Sequence, residues 1–533
     1  MVKLLLNRTK NQIANHPYIS FGLGLFFLCL FYGYAGFLRY GAYSVHLWRQ
    51  ADCLSMAYHY YAFDYNFFHP SVLWIGDNTV GYVASELPII YWLVASIWKV
   101  IGHNHWVFRG ITMLIFGTGL IYLFKTAFHF FKSFFWASFT TFLFFTSTTL
   151  VYYAAGFLPN TSALGIALIG LHFFYHFVLK NEQRFLWVSV SLFLIAGLLK
   201  LTALFGLAAV SGAYFIYLIK ERKGIKEILP LCVPYLLGAS IIISWVLWTK
   251  SYNSKHFTSF IFLQDILPFW ELPPDQYPEI FEKFMFHIFP FTYHYSVWMI
   301  ILIGFGFALI KFNYSNKFLL ATIVFMLIGI SIFIALWFKV FDVHDYYLIN
   351  LLVIVPAICF LVLDLIKRRY PFIWNSMVIK MIAALWLGLL MIEASWYTRV
   401  RFDSKNDWLV NRISIDLEYK EYCDWILFDY EQRLEALTEM DEELKVMGVD
   451  KEDYVMSIPD GTINWSLYAL KRRGFTDYGY IMPDGSRDMQ NCLERNGKFL
   501  IVNDSTLLHE EWIKPFTNKP VGIYRNVKVF KLD

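Results

Sequence analysis

Apolar runs of near-spanning length recur along the first three quarters of this chain, and they constrain it more than any other feature. Eleven lie at about 18–38, 110–124, 134–157, 162–179, 185–199, 202–219, 229–249, 296–311, 318–338, 347–364 and 377–397, with a shorter one at 87–101. A bilayer core about 30 Å thick takes roughly 20 apolar residues as a helix. A single helix satisfies its own backbone there, which an open strand or loop cannot do. Charge divides the chain in the same way. Residues 401–533 hold 25 acids and 18 bases, which leaves residues 1–400 only 16 of the 41 acids but 27 of the 45 bases. With 58% hydrophobic and 16% charged residues and a mean hydropathy of +0.47, the chain lacks the polar surface that a soluble protein of 533 residues needs. A soluble enzyme, a disordered chain and a nucleic-acid binder are excluded. The expected fold class is a polytopic all-α membrane protein with about 11–13 transmembrane helices and a small C-terminal α/β domain.

Basic loops orient the spans. Lys125/Lys132, Lys180/Arg184, the Lys220–Lys226 group, Lys311/Lys317 and Lys367–Arg369 belong on the cytoplasmic side. Alternation then holds if 87–101 dips in and returns rather than crossing. Lys3, Arg8 and Lys10 precede a first run with no small-residue cleavage site, so that run reads as a retained span. The outer face collects residues 39–86, the Pro159-Asn160 turn, Lys200, the loop 250–295, the loop 339–346 and the tail. The expected domains are therefore a spanning body, 1–400, and a soluble extracytoplasmic domain, 401–533. The loop 39–86, rich in Trp and Tyr, suits helices lying at the headgroup level. In the tail, a charged helical stretch at 413–447 precedes strand candidates at 454–458, 499–502 and 527–530 and helices near 464–473 and 486–496. The six cysteines show no CxxC or Cys/His spacing, and nothing supports a Cys423–Cys492 disulfide.

A carboxylate near hydrocarbon is costly unless paired or hydrated, so each of the 16 acids in the body is informative. Asp52, Asp64, Asp77 and Glu86 lie in one early segment, and five more, from Asp265 to Glu282, lie in one long loop. Asp52 follows His46-Leu47-Trp48-Arg49-Gln50-Ala51, and Glu86 precedes Leu87-Pro88. Two carboxylates on one membrane face can act as a general base and an orienting partner. Arg49, one turn before Asp52, could instead hold it in an intrahelical ion pair.

The run Trp48-Arg49-Gln50-Ala51-Asp52, then Asn66 to Pro70, Glu86-Leu87-Pro88, Gly102 and Arg109 resembles the N-terminal signature of GT-C superfamily glycosyltransferases. It is most similar to the bacterial branch related to protein O-mannosyltransferases and lipid A aminoarabinose transferases. The resemblance is motif-specific over about 46–109, extends to residue 400 as a pattern of spans, and does not reach the tail. It implies a polyprenyl-phosphate-linked sugar donor, a lipid, glycan or protein acceptor, and a site on the extracytoplasmic face of the inner membrane. It assigns Asp52 as the base and places Glu86 in the acid-Pro motif. Where relatives carry Pro-Asp, this chain has Pro159-Asn160, and an amide cannot act as a base.

Lys200, set between two short apolar segments, either snorkels to headgroups or neutralises a bound phosphate; the resemblance favours the phosphate. His344, Asp345, Tyr346 and Tyr347 stand before the apolar run that begins near 347 and offer hydrogen bonds to phosphate or sugar. Asp52 would then deprotonate an acceptor hydroxyl for inverting attack while Lys200, with His344 or Tyr347, stabilises the departing phosphate. Substrate contacts are expected from Arg49, Lys200, His344, Asp345, Tyr346, Tyr347 and Asn160. A divalent metal near Glu86 is compatible with this but has no tight ligand cluster behind it. Two other classes compete. A lipid-linked glycan flippase or transporter would show internal repeats or broken helix pairs with midplane charges, and none is read here. A polysaccharide polymerase or ligase would lean on external arginines, and 250–295 contains none.

Overall fold

The computed structural model describes residues 15–76, 81–262, 266–478 and 486–532. Asp77, Asp265, Lys3, Arg8 and Lys10 lie outside the described residues. Contacts divide the chain into two compact units. Unit 1 comprises Met1–Leu38, Arg109–Ser244 and Asp265–Thr398; unit 2 comprises Arg39–Phe108, Trp245–Gln264 and Arg399–Asp533. One division falls at 398/399, and residues 39–108 belong to the same unit as the tail.

The chain is a multi-pass α-helical membrane protein. Among the described residues, seven helices are long and apolar enough to cross a membrane, or nine if two bent pairs each count as one. Every apolar run read from the sequence meets a helix, but fewer than 11–13 are full spans. The pairs Phe134–Phe144/Thr148–Ala154 and Gln276–Phe291/Tyr295–Ile310 bend by 81° and 92°. The first bend has a local cause: the Ser147 side chain caps the new helix by accepting from Leu150 N, and Thr146 Oγ1 donates to Leu143 O. Three further apolar helices, Pro17–Phe31, Ile89–Ile101 and Gln183–Leu199, are only 15, 13 and 17 residues long. At 1.5 Å per residue, Ile89–Ile101 extends about 20 Å, short of a bilayer core.

In unit 1 the most enclosed span is Asp345–Arg369, 78% of whose apolar window is buried. Met377–Phe402 buries 17% of its window and shows Leu385 and Leu389 to the surroundings, as lipid-facing helices do. The helices His105–Phe131 and Pro159–Lys180 meet at glycines: a Cβ on Gly119 would stand 2.5 Å from Gly165 Cα. Small residues permit that backbone approach.

Unit 2 is built on a five-stranded sheet of order β2-β1-β3-β5-β4, with β1 Tyr454–Ile458, β2 Gly474–Phe475, β3 Gly497–Val502, β4 Pro520–Tyr524 and β5 Val527–Lys531. Its β1 runs parallel to β2 and β3, whereas β5 is antiparallel to β3 and β4. Beyond β2 the early loop joins the sheet. Trp74 bridges Gly474 in parallel, Ile75 N donates to Gly474 O at 2.8 Å, and Gly474 N donates to Leu73 O at 3.1 Å. This pairing covers an edge that would otherwise expose open backbone. Gly474 is required there, because a Cβ would meet Val455 O at 1.8 Å. Ile75 completes the apolar core with Met456, Ile458, Leu500 and Val502. The helix Leu47–Ala62 is buried at every position from Gln50 to Tyr60, so it is a core element rather than the interfacial helix expected from its aromatic content. It packs against Ile89–Ile101 and against the tail helix Trp465–Leu470. All six cysteines are free, Cys423 and Cys492 included.

Candidate active site

The carboxylate centre of unit 2 starts from a tight chain entry. Ser44 and His46 take left-handed backbone, φ 64° and 55°, and the helix Leu47–Ala62 begins immediately after. Its second turn carries Asp52 inward. Asp52 Oδ1 accepts from Asn464 Nδ2 at 2.9 Å. Asp52 Oδ2 has no hydrogen bond among the described residues; its cation is Arg49, with NH1 at 3.8 Å. Burial pushes the Asp52 carboxyl up to about 6, against the opposing pull of Arg49 and of the Asn464 hydrogen bond. The result is a buried carboxyl with one oxygen held by Asn464 and the other facing Arg49.

Arg49 belongs more to Glu86 than to Asp52. Its NH2 lies 2.9 Å from Glu86 Oε1, and its guanidinium stacks over the Phe262 ring at 5.2 Å. Glu86 Oε1 also accepts from Tyr91 OH, and Oε2 accepts from Ser85 Oγ at 2.6 Å. The strand leading to Glu86 is pinned by Asn253, whose side chain accepts from Ala84 N at 2.7 Å and donates to Ala84 O at 2.8 Å. Trp245 Nε1 adds a bond to Ser85 O at 3.2 Å. Both Glu86 oxygens are therefore engaged, by Arg49, Tyr91 and Ser85. Among the described residues, no three His, Cys, Asp or Glu side chains come together to hold a metal ion.

Asn464 is the residue that sequence reasoning missed. Besides holding Asp52, its Oδ1 accepts from Ser55 Oγ at 3.1 Å, Leu73 N at 3.1 Å and Trp74 N at 3.3 Å. One fully buried amide thus ties the Asp52 helix to the edge segment of the sheet. Its neighbours Ile463 and Trp465 give no sign of this, and 412 residues separate it from Asp52. Arg109, part of the motif, turns inward in unit 1 to the Ala155 carbonyl and the face of Phe157, which is a structural part.

Unit 1 gathers the second set. Lys200 sits in extended backbone between the helix Gln183–Leu199 and a 3-10 turn, Leu201–Leu204. This break directs its ammonium over the Tyr347 ring at 4.4 Å. Among the described residues Lys200 has no carboxylate within ion-pair distance. Tyr347 stacks on Tyr346, with centroids 5.2 Å apart, and Tyr346 OH lies 3.1 Å from His344 Nδ1. Lys200 and 344–347, distant in sequence, are thus brought together. Asp345 and Asn160 support this element from behind. Asp345 Oδ1 accepts from Tyr153 OH at 2.6 Å, and Asn160 Nδ2 donates to Tyr346 O at 2.9 Å. Both are buried.

No family model matches the chain, and no curated protein matches it. Solved structures do. ArnT from Cupriavidus metallidurans in the apo state aligns with 97% of this chain and 98% of its own, at 14% identity and a TM-score of 0.55. The same protein bound to undecaprenyl phosphate aligns over the same shares, at 13% identity and a TM-score of 0.57. At that identity the likeness speaks for the fold, and it extends over nearly the whole length of both chains. The polytopic helical membrane fold expected from the sequence, small C-terminal domain included, is the fold that this chain shares with ArnT.

Proposed function

We propose that this protein is a membrane glycosyltransferase that moves a sugar from a polyprenyl-phosphate carrier to an extracytoplasmic acceptor hydroxyl, with inversion. The observation that carries the reading is Asp52: a buried carboxyl held by Asn464 on one oxygen and facing Arg49 with the other, its ionisation moved to about 6. A general base works best with a pKa near the operating pH, because it must be ionised and still basic. At pH 7 a group of pKa 6 is about nine-tenths ionised. Asp52 Oδ2 takes the acceptor proton as the hydroxyl oxygen attacks the anomeric carbon. The bond from that carbon to the carrier phosphate breaks, and the phosphate leaves with the electron pair. Lys200, held over Tyr347, neutralises the charge that develops on the phosphate, with His344 as a hydrogen-bond partner. Glu86 holds Arg49, which in turn keeps the Asp52 charge compensated.

The carrier assignment is supported by a related fold, crystallised in the neighbour with undecaprenyl phosphate bound. The basic loops support an extracytoplasmic position for unit 2, and the resemblance supports siting in the inner membrane. The test uses purified full-length protein in proteoliposomes with radiolabelled polyprenyl-phosphate sugars and an acceptor extract. A new glycosidic product together with free polyprenyl phosphate is expected. Movement of the labelled lipid between leaflets without any glycosidic product would replace this reading with a flippase.

A further inference from the structure

Unit 2 contains a cavity of about 480 Å³ that plays no part in the steps above. That volume lies within the range of small-ligand pockets, about 300–1,000 Å³. Four separate segments build it: 39–43, 103–105, 430–439 and 465–471. Tyr40 and Tyr43 stack, with centroids 4.9 Å apart and planes 16° apart, and Tyr430 meets Tyr43 edge-on at 4.7 Å. Trp465 meets Tyr430 at 6.0 Å. Opposed to these apolar faces is a polar set. Tyr468 OH is shared by His105 Nε2 at 2.8 Å and His103 Nε2 at 3.0 Å. Burial, with His105 and Lys471 adding to it, pushes His103 down to about 3, so its ring is neutral at pH 7 and can accept or donate.

The charges narrow the ligand class. Glu431, Glu435 and Glu439 line the cavity with Arg39 and Lys471. Arg525 pairs with Glu439 at 2.9 Å and Glu435 at 3.3 Å, and Lys405 lies 3.6 Å from Glu431. The three glutamates are paired with Arg525 or Lys405, and Lys471 is paired with Asp441 at 3.2 Å, so these charges compensate one another and favour neither a phosphate nor a free cation. A purely apolar ligand would take water from the lining carboxylates and their cations without replacing it. The remaining chemistry is an uncharged ring with one apolar face and several hydroxyls: C–H groups lie on the Tyr rings while the hydroxyls donate to carboxylates.

We infer that this cavity is a saccharide-binding site that takes an uncharged sugar of the acceptor. The acceptor role rests on the transferase reading; the saccharide site itself does not. The link to the reacting centre is one helix. Trp465 opens the helix Trp465–Leu470, which packs on Leu47–Ala62, and the preceding residue, Asn464, holds Asp52.

The test measures binding without donor, using full-length protein in a non-glycosidic detergent. Saturation-transfer NMR is read with cellobiose and N,N′-diacetylchitobiose, against glucosamine as cation and glucose 6-phosphate as anion. Binding of a neutral disaccharide is expected, weakened at least about fivefold in Tyr40→Leu and kept within about twofold in Tyr40→Phe. Thermal midpoints establish that both variants are folded. In the transfer assay, Tyr40→Leu should raise the acceptor KM about fivefold and leave kcat unchanged. Absence of neutral-saccharide binding, tighter binding of the phosphate, or binding unaltered in Tyr40→Leu would each overturn the site. Saccharide binding by a protein that makes no glycosidic product would leave the site standing and remove the acceptor role.

Discussion

Replacing Asn464 with alanine removes the one hydrogen bond that Asp52 accepts among the described residues. A hydrogen bond to a charged group is worth about 1.5–3 kcal/mol, and one pKa unit is about 1.36 kcal/mol. The Asp52 value of about 6 should therefore rise by about 1–2 units, to about 7–8. At pH 7 the ionised fraction then drops from about nine-tenths to between about one half and one tenth. The assay is kcat/KM against pH from 5 to 9, because that ratio reports the free enzyme's base. The acidic limb should move to higher pH, with a loss of about two- to tenfold at pH 7 that is regained by pH 9. The variant also leaves Trp74 N without its acceptor, at about 1–3 kcal/mol of stability. Ser55→Ala supplies the control: it loosens the same clamp through Asn464 Oδ1 without touching Asp52, so stability falls and the limb stays. A folded Asn464→Ala protein whose acidic limb does not move would refute the assignment of that limb to Asp52.

The remaining expectations concern the same groups. The Asp52 carboxyl is raised from an ordinary 3.8 to about 6, so the native state holds its proton longer than the unfolded chain does. Its burial therefore lowers stability above pH 6 and not below pH 4, by roughly 3 kcal/mol at most. Asp52→Asn should accordingly raise the thermal midpoint at pH 8 but not at pH 4 while transfer is lost. Arg49→Met strands Glu86 as a buried charge and should cost about 3–5 kcal/mol in denaturation experiments, part of which Arg49→Met/Glu86→Gln recovers. Lys200→Met should raise the donor KM about tenfold or more, with Lys200→Arg intermediate, because an ammonium over a Tyr face and a phosphate interact chiefly by charge.

What the sequence disclosed follows from periodicity and cost. Each apolar run became a helix because the backbone has no other way to pair in hydrocarbon. Asp52 and Glu86 stood out because acids are scarce in the first 400 residues. Lys200 stood out because it interrupts apolar sequence. The bend at Thr146-Ser147 was hidden, since its capping bonds leave hydropathy unchanged. The membership of 39–108 in the tail's unit was hidden as well. It depends on backbone pairing of Leu73–Ile75 with Gly474 and on Asn464, and long-range partners leave no trace in local pattern. Strand β2 has only two residues and β4 runs Pro-Val-Gly-Ile-Tyr, so they gave little polar–apolar alternation to read.

Single-turnover transfer by Asp52→Asn tests the central claim most directly, with saturating polyprenyl-phosphate sugar and acceptor and with glycosidic product counted. The substitution keeps the shape and the Asn464 contact while removing the base. General-base catalysis is worth about 10²- to 10⁴-fold, so the rate should fall by that factor and not recover at high pH. A rate within about threefold of the wild type would contradict Asp52 as the group that takes the proton.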